Sequence, residues 1–494
     1  MNSQIRKLGL FIVVLFLVLF VQMNNIQVFS AAALNNRPEN SRRVVADFRA
    51  PRGSIIASDG VVLANSVPSN DQYKYQRQYP TGDLFGNVTG FFSFNYGAEG
   101  VERSYNDELV GKKLRLQSLD NLLADQNTTN DITLTLSNRL QSVAKEALGK
   151  YKGAVVAIDP KTGGILAMYS NPSYDPSLLA SHDFPAVADA YPKLIKSTDK
   201  PALPRGYRER YVPGSTFKVV TASAAYEHKA DLVRKRYPTM QALPLPNSGG
   251  RSLRNFGGET CGGSLPSLLR VSCNSGFGQM GIDLGATNMI NQAEAFGFNS
   301  QPPIDMPSAA KSAFPNQNFF RGNVPGLALS AIGQQNVSAT PLQMAMVAGG
   351  IANGGVVMTP HVMKEVRNRQ GEVVVEEPIK TWRRATSSET ASKMTDNMIQ
   401  VSANGTATGA RIPGIEVGAK TGTAETTENR INAWLISFAP AKDPKIAVAV
   451  ILEDQVGNSD ATGGRLAAPI AKQVMSTYLS EDIPKSTPKV KKKR

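Results

Sequence analysis

The chain has 494 residues, 41% of them hydrophobic, and 54 Lys and Arg against 40 Asp and Glu leave a formal charge of +14 at pH 7. That length exceeds one compact core, so two folded domains with appendages are expected. With two cysteines, no C-x-x-C and only His182, His228 and His361, neither a zinc site nor any other metal or cofactor is expected.

Residues 1–7 read as a cytoplasmic stub, with Arg6 and Lys7 just ahead of an unbroken apolar run from Leu8 to Val21. The run's 14 residues fall short of the roughly 20 that span a bilayer. The membrane segment is therefore drawn over 8–30, entering from the cytoplasm. The competing reading is a cleaved signal peptide, because Ser30-Ala-Ala-Ala33 resembles a small-residue cleavage site. Either reading exports the rest of the chain, which excludes nucleic acid as a partner. Residues 35–148 are taken as a separate domain. They begin polar and rich in Asn and Gly, with short strand-like runs such as Val61 to Leu63, and end on a predicted helix, Leu136 to Leu148. Leu136, Leu140, Val143, Ala144 and Leu148 recur there at helical spacing.

A second domain is drawn over 151–480. Strands are predicted at Val155 to Ile158, Ile165 to Tyr169, Ala433 to Phe438 and Ile446 to Leu452, and helices at Leu342 to Asn353 and Ala467 to Tyr478. Pro238, Leu243-Pro-Leu-Pro246 and Ser248-Gly-Gly250 break the chain too often for a regular element, so that stretch reads as a loop. Residues 481–494, with Lys485, Lys489, Lys491, Lys492, Lys493 and Arg494, read as a solvated basic tail.

Three short patterns lie in this second domain: Ser215-Thr-Phe-Lys218, Ser272-Cys-Asn274 and Lys420-Thr-Gly-Thr423. Each alone is cheap. S-x-x-K also occurs at Ser142, Ser197, Ser308 and Ser486, S-x-N at Ser93, Ser104 and Ser402, and K-T-G at Lys161. Lys161 sits between two apolar runs in Asp159-Pro-Lys-Thr-Gly-Gly164, which reads as a hairpin turn. Lys420 instead follows Val417-Gly-Ala on a strand of small side chains that a ligand can approach. Ser215 opens an Ala- and Val-rich stretch read as a buried helix from Thr216 to Tyr226, where an i,i+3 lysine can reach its hydroxyl. Serine is a weak nucleophile until a base takes its proton. A lysine is such a base only if burial or a neighbouring cation lowers its pKa. Ser272 and Lys420 are the neighbours available. Trp434 reads as core. Cys261 and Cys273 stand 12 residues apart; a disulfide and two free thiols are both compatible with that spacing.

S-x-x-K, S-x-N and K-T-G in this order resemble the penicillin-recognising serine acyltransferases. Arg52-Gly-Ser-Ile-Ile56, Asp59-Gly-Val-Val-Leu63-Ala, Gly97-Ala-Glu-Gly100-Val-Glu-Arg-Ser-Tyr105, Asp131-Ile-Thr-Leu-Thr135, Gly333-Gln-Gln335, Thr340-Pro-Leu-Gln343 and Ala433-Trp434 extend the likeness to class B penicillin-binding proteins, over nearly the whole chain. The short length and the S-C-N form are most similar to the penicillin-binding protein A type.

The resemblance implies an α+β transpeptidase domain of serine β-lactamase-like fold, with a five-stranded antiparallel sheet flanked by helices. It also implies an elongated non-catalytic domain of pedestal or dimerisation type and a retained single-pass anchor that places the catalytic domain outside the cytoplasm. The implied activity is peptidoglycan D,D-transpeptidation during division or growth. Ser215 would attack a D-Ala-D-Ala stem peptide, Lys218 would activate it, Ser272 would relay a proton, Asn274 would hold the substrate amide and Lys420 would supply a positive field. Thr421 and Thr423 would bind the terminal carboxylate, and Gly422 would let the chain pass close to an oxyanion hole made by the Ser215 and Thr423 N–H groups. Implied partners are stem peptides, an amine acceptor, penicillin and other β-lactams, the membrane and a membrane-embedded glycan polymerase. The alternatives are a D,D-carboxypeptidase or β-lactamase-like hydrolase, and a non-catalytic wall-binding scaffold or β-lactam sensor. A Ser-His-Asp hydrolase is disfavoured, because the chain has no G-x-S-x-G elbow.

Overall fold

The computed structural model describes residues 2–26, 48–111, 129–427, 430–456 and 461–481. The cleavage-like Ser30-Ala-Ala-Ala33, the end of the membrane segment from residue 27 and the basic tail beyond residue 481 lie outside the described residues, as do 35–47 and 112–128 of the segment assigned to the first domain. Two compact units are present, Met1–Pro51 with Ser66–Gln76, and Arg52–Asn65 with Arg77–Arg494.

In the first unit a helix runs Asn2–Asn24 with its apolar side chains uncovered, Phe16 being 70% exposed. The helix continues the apolar run past Val21 through Gln22, Met23 and Asn24, and on its N-terminal side it also takes in Arg6 and Lys7. Ser3–Asn24, 22 residues with mean hydropathy 2.3, is long enough to cross a bilayer at about 1.5 Å rise per residue. A helix of this length and apolarity is consistent with a single N-terminal membrane anchor. Elsewhere in this unit Phe48 and Tyr73 meet edge to face at 6.2 Å.

The second unit holds two main sheets. In one, Val373–Glu376, Met363–Arg367, Asp131–Leu134 and Ile55–Ile56 are neighbours in that order. Ile55 pairs with Ile132 in parallel, and Val366 pairs with Ile132 antiparallel, so the chain returns after residue 360 to extend a sheet begun before residue 60. Beside it Glu102 is fully buried, accepting from Arg52 Nε at 2.6 Å and Arg77 Nε at 2.7 Å. Burial opposes the charge on Glu102, but the Arg77 and Arg52 guanidiniums outweigh it and hold the carboxyl below its usual range. Asp305 accepts from the Tyr105 hydroxyl and from the backbone N–H groups of Val362 and Met363, which joins three distant stretches of chain at one carboxylate.

The larger sheet has five antiparallel strands in the order Gly418–Thr427, Arg430–Ala439, Ile446–Val456, Gly153–Ile158 and Ile165–Asn171. Its three middle strands are almost wholly buried, which explains their continuous apolar runs. Phe438, Ala447 and Ile158 share one cross-strand row. Gly349 of the helix Pro341–Ala352 lies over that row, close enough that an added Cβ would come within 2.9 Å of Ile158 Cδ1. The adjacent row points the other way, and there Ser437 Oγ lies 3.4 Å from Met475 Sδ of the helix Ala468–Glu481. Helices therefore cover both faces, as the resemblance implied, and the Gly418–Thr427 strand lies at the sheet edge.

The stretch between the first two motifs is not the plain loop that its prolines suggested. Tyr237–Met240 pairs with Cys261–Gly263, and Ala242–Pro244 with Ser252–Arg254, as two-stranded ribbons. The prolines fall in pairs too short to be disrupted by one missing N–H.

Candidate active site

Pro213 and Gly214, the latter at φ 53°, bend the chain into a 3-10 turn, Gly214–Phe217, that carries Ser215. The α-helix proper runs Lys218–His228 and is buried from Lys218 to Ala225. This corrects the expectation that Ser215 opens the α-helix itself: Ser215 rides the tighter turn before it, and Lys218 is the first α-helical residue. Beneath this turn the buried indole of Trp434 donates from Nε1 to the Val212 carbonyl at 3.1 Å.

The second motif links two helices. Leu265–Arg270 ends, Ser272 adopts φ 60°, and Asn274 opens Asn274–Ala295. The third lies on the edge strand Gly418–Thr427. A Cβ on Gly422 would fall 2.8 Å from the Pro213 carbonyl oxygen and 3.0 Å from Thr216 Cγ2, so glycine here lets the Ser215 turn press against the strand. The Thr423 carbonyl faces Gly214, an added Cβ on which would lie 3.1 Å away. A strand residue projects its N–H and C=O from the same edge, so the Thr423 N–H also faces the Ser215 turn.

Two amines converge on one hydroxyl. Lys420 Nζ donates to Ser272 Oγ at 2.9 Å and to the Thr421 carbonyl at 2.8 Å. Lys218 Nζ donates to the Ser272 carbonyl at 2.7 Å and to Asn274 Oδ1 at 2.7 Å, and lies 3.2 Å from Ser272 Oγ. A neutral amine has two N–H groups and one lone pair. In the neutral form both N–H groups go to these carbonyl-type oxygens and the lone pair faces the Ser272 hydroxyl; in the charged form the third N–H donates to that hydroxyl. Both lysine side chains are 0% exposed. Burial, and then the charge on Lys420, push Lys218 well below the ordinary lysine value; burial pushes Lys420 down to about 7. The Asn274 amide is oriented by its Nδ2, which donates to the Arg254 carbonyl at 3.0 Å.

Ser215, Ser272, Asn274, Thr421 and Thr423 line one cleft of about 660 Å³. Asn274 and Thr423 also line an adjoining cleft of about 740 Å³ that runs toward Arg254 and Glu425. The three motifs are thus brought to one place, though Lys218 holds Ser272 and Asn274 rather than Ser215 in this geometry. Unliganded active sites often tighten such contacts only when substrate arrives. The discounted K-T-G behaves differently: Lys161 is in a turn, and its amine pairs with the exposed Asp443 at 2.6 Å.

Several residues at the site were not singled out from sequence. Thr406 Oγ1 lies 2.6 Å from Thr421 Oγ1 and lines the cleft. Asn255 accepts from the Ser275 N–H at 2.8 Å and donates to the carbonyls of Met240 and Glu259. Only the turn-forming Phe256-Gly-Gly after it hinted at a tight bend. Cys261 and Cys273 are joined in a disulfide with Cα atoms 5.8 Å apart.

Gly333, in the Gly-Gln-Gln stretch, has φ 73° and accepts from the Gly214 N–H at 3.0 Å. A Cβ there would meet the Gly214 oxygen at 2.2 Å and Phe217 Cβ at 2.6 Å. Gly333→Ala is therefore expected to displace Ser215 and slow its acylation about 100-fold, and to cost roughly 2 kcal/mol of stability. Stopped-flow acylation with thermal unfolding checks this, and a variant acylating within threefold of the parent contradicts it.

Comparison with known proteins identifies the family. Residues 153–476 match the family described as penicillin binding protein transpeptidase domain, and 52–131 the penicillin binding protein A dimerisation domain. The chain is 38% identical to the peptidoglycan D,D-transpeptidase PbpA of Mycolicibacterium smegmatis, over 97% of this chain and 100% of the relative. A ceftriaxone acyl-enzyme complex of penicillin-binding protein A from M. tuberculosis superposes with TM-score 0.81 at 36% identity, covering 88% of this chain and 100% of that one. The penicillin G acyl-enzyme of the same protein gives TM-score 0.80 at 36% identity, covering 87% and 100%.

Proposed function

This chain belongs to the penicillin-binding protein transpeptidase family, and from that membership we propose how its own residues carry out the reaction. It is a serine-type peptidoglycan D,D-transpeptidase of cell-wall synthesis. Ser215 attacks the carbonyl between the two D-Ala residues of a stem peptide. The base is Lys218, neutral because it is buried beside Lys420. When the donor amide takes over Asn274, the Lys218 amine is freed to turn toward Ser215 and accept its proton. Ser272, held by both amines, passes a proton to the departing D-Ala nitrogen. The developing oxyanion lies against the N–H groups of Ser215 and Thr423; one such donor is typically worth about 3 kcal/mol of barrier. Thr421 and Thr423 hold the terminal carboxylate in the field of Lys420. An amine from a second stem peptide then resolves the ester and closes the cross-link.

The observation that carries this reading is the pair of buried amines on the Ser272 hydroxyl, in the cleft that Ser215 lines. β-Lactams acylate the same serine. The N-terminal helix holds the enzyme in the cell membrane as a single pass with the catalytic domain outside the cytoplasm, and a membrane-embedded glycan polymerase supplies the strands. Incubating the full-length protein in detergent micelles with labelled penicillin and mapping the adduct by mass spectrometry tests the assignment. The label is expected on Ser215, and a label elsewhere, or none, overturns it. A D-Ala-D-Ala donor with an amine acceptor then separates cross-linking from hydrolysis.

A further inference from the structure

A donor stem can run through the site in one direction only, because its leaving nitrogen has to meet Ser272 and its terminal carboxylate Thr421 and Thr423. The rest of the donor must then depart past Thr423, away from Thr421. The edge strand pairs without interruption from Gly418 opposite Phe438 to Glu425 opposite Ile431, so Thr421, Thr423 and Glu425 stand at alternate positions on one face. Gly422 and Ala424 between them are buried, whereas exposure rises from Thr421 through Thr423 to Glu425. Thr421 and Thr423 line the cleft of about 660 Å³, and Thr423 and Glu425 line the adjoining one of about 740 Å³, the two clefts meeting at Thr423, Asn274 and Gln334. Glu425 lies two strand residues, about 7 Å, beyond Thr423. An extended peptide covers that distance in two residues as well, so the side chain of the residue ahead of the D-Ala pair comes within reach of Glu425.

We propose that Glu425 is a specificity-determining residue that holds the donor stem's own ammonium, carried by the residue ahead of D-Ala-D-Ala. The acceptor is itself a stem peptide that attacks through an amine, so a donor of the same kind brings an amine of its own into the site. Among the described residues Glu425 is the one carboxylate lining the adjoining cleft, and it has no hydrogen-bond or ion-pair partner there, so no group of the protein competes for it. The other charged lining groups are Arg251, whose Nε is turned back to the Ser248 carbonyl at 3.0 Å, and Arg254 of the strand Ser252–Arg254. Both repel an ammonium, which leaves it the strand side of the cleft. Paired there it keeps its proton, has no lone pair to offer and stays clear of the Ser215 ester. The amine that does attack takes the place vacated by the departing D-Ala nitrogen, beside Ser272, and so enters through the other cleft. Donor and acceptor stems are thereby told apart although both carry the same amine.

This role rests on the transpeptidase reading of the site, and its test keeps the two apart. Full-length protein in detergent micelles is acylated by fluorescent penicillin in the presence of Nα-acetyl-Lys-D-Ala-D-Ala or of the same peptide acetylated also at Nε. The affinity of each peptide is read from the concentration that halves the labelling rate, each variant's rate without peptide being its own reference. The free-amine peptide is expected to protect Ser215 at about fivefold lower concentration, the size of one solvent-edge ion pair. Raising the salt to about 1 M should shrink that preference by more than half through screening. Glu425→Gln should make the two peptides equal by weakening the free-amine one alone, and Glu425→Lys should put the acetylated peptide ahead. Equal protection by the two peptides in the parent at low salt, absence of protection by both included, overturns the proposal, as does a preference that survives Glu425→Gln. Failure of the parent to form any Ser215 adduct with penicillin alone removes the functional reading instead, and is recognised by the missing mass.

Discussion

Lys218→Arg is expected to slow acylation of Ser215 by about 10³-fold, the size of effect usual for losing a general base. Arginine keeps the charge of a protonated lysine and more donors than it had, so the variant would be tolerated if Lys218 acted as a cation. A guanidinium cannot give up its proton in a protein, and the structure asks for an amine that can. Lys218 is fully enclosed, its two carbonyl-type acceptors match the two N–H groups of a neutral amine, and burial together with the charge on Lys420 favours the uncharged form. The parent should accordingly lose activity on acidification, as Lys218 takes up a proton. Lys218→Met, neutral and of similar length, should be equally slow but should fold normally by thermal unfolding. Retention of activity within tenfold in the arginine variant would rule out the neutral-base mechanism.

Lys420→Met should show the opposite balance, gaining stability while losing function. The ordinary lysine value is about 10.4, whereas burial brings folded Lys420 down to about 7. The unfolded chain therefore binds more protons between those values, and stability rises with pH across the window. The stability of the folded form with neutral Lys420 is fully present only above about 10.4 and is lost as pH falls toward 7. At neutral pH the cost is on the order of 4 kcal/mol, since each tenfold loss of proton affinity on folding is worth about 1.4 kcal/mol. Methionine removes it, less about 1 kcal/mol for each hydrogen bond given up to Ser272 and Thr421. A net gain of about 2 kcal/mol at pH 7, falling to nothing near pH ~9 and turning into a loss of about 2 kcal/mol near pH ~10.5, where only the missing hydrogen bonds count, is expected from chemical denaturation. Acylation should fall about 100-fold or more, because the carboxylate loses its cation and Ser272 one of its two holders. A variant destabilised at pH 7 would show that the Lys420 ammonium is held more favourably than its burial indicates.

Much of the site was legible because its chemistry is written in residue types at short spacing. Ser215 with Lys218, Ser272 with Asn274, and Lys420 with its small neighbours declare themselves, and the second K-T-G could be set aside because Asp159-Pro-Lys161 is turn-forming. The middle strands were legible because burial on both faces leaves uninterrupted apolar runs. What escaped was whatever depends on pairing across distance. The ribbons Tyr237–Met240 and Cys261–Gly263 have no alternation to betray them. The strand Met363–Arg367 carries no mark that its partner is Asp131–Leu134. Asn255 looks like any turn asparagine until Ser275 is seen beside it. The start of the Lys218 helix was misplaced by two residues because a 3-10 turn and an α-helix draw on the same residue types.

The order of strands in the large sheet has a consequence for how the enzyme is made. Gly153–Ile158 is sandwiched between its hairpin neighbour and Ile446–Val456, nearly three hundred positions later in the chain. A polypeptide that emerges from its amino end must keep that early hairpin with one flank unzipped until the last tenth of its length arrives. Such non-local closure is slow and leaves a sticky rim waiting. A premature stop anywhere ahead of residue 446 would therefore yield an aggregating fragment rather than a weakened catalyst.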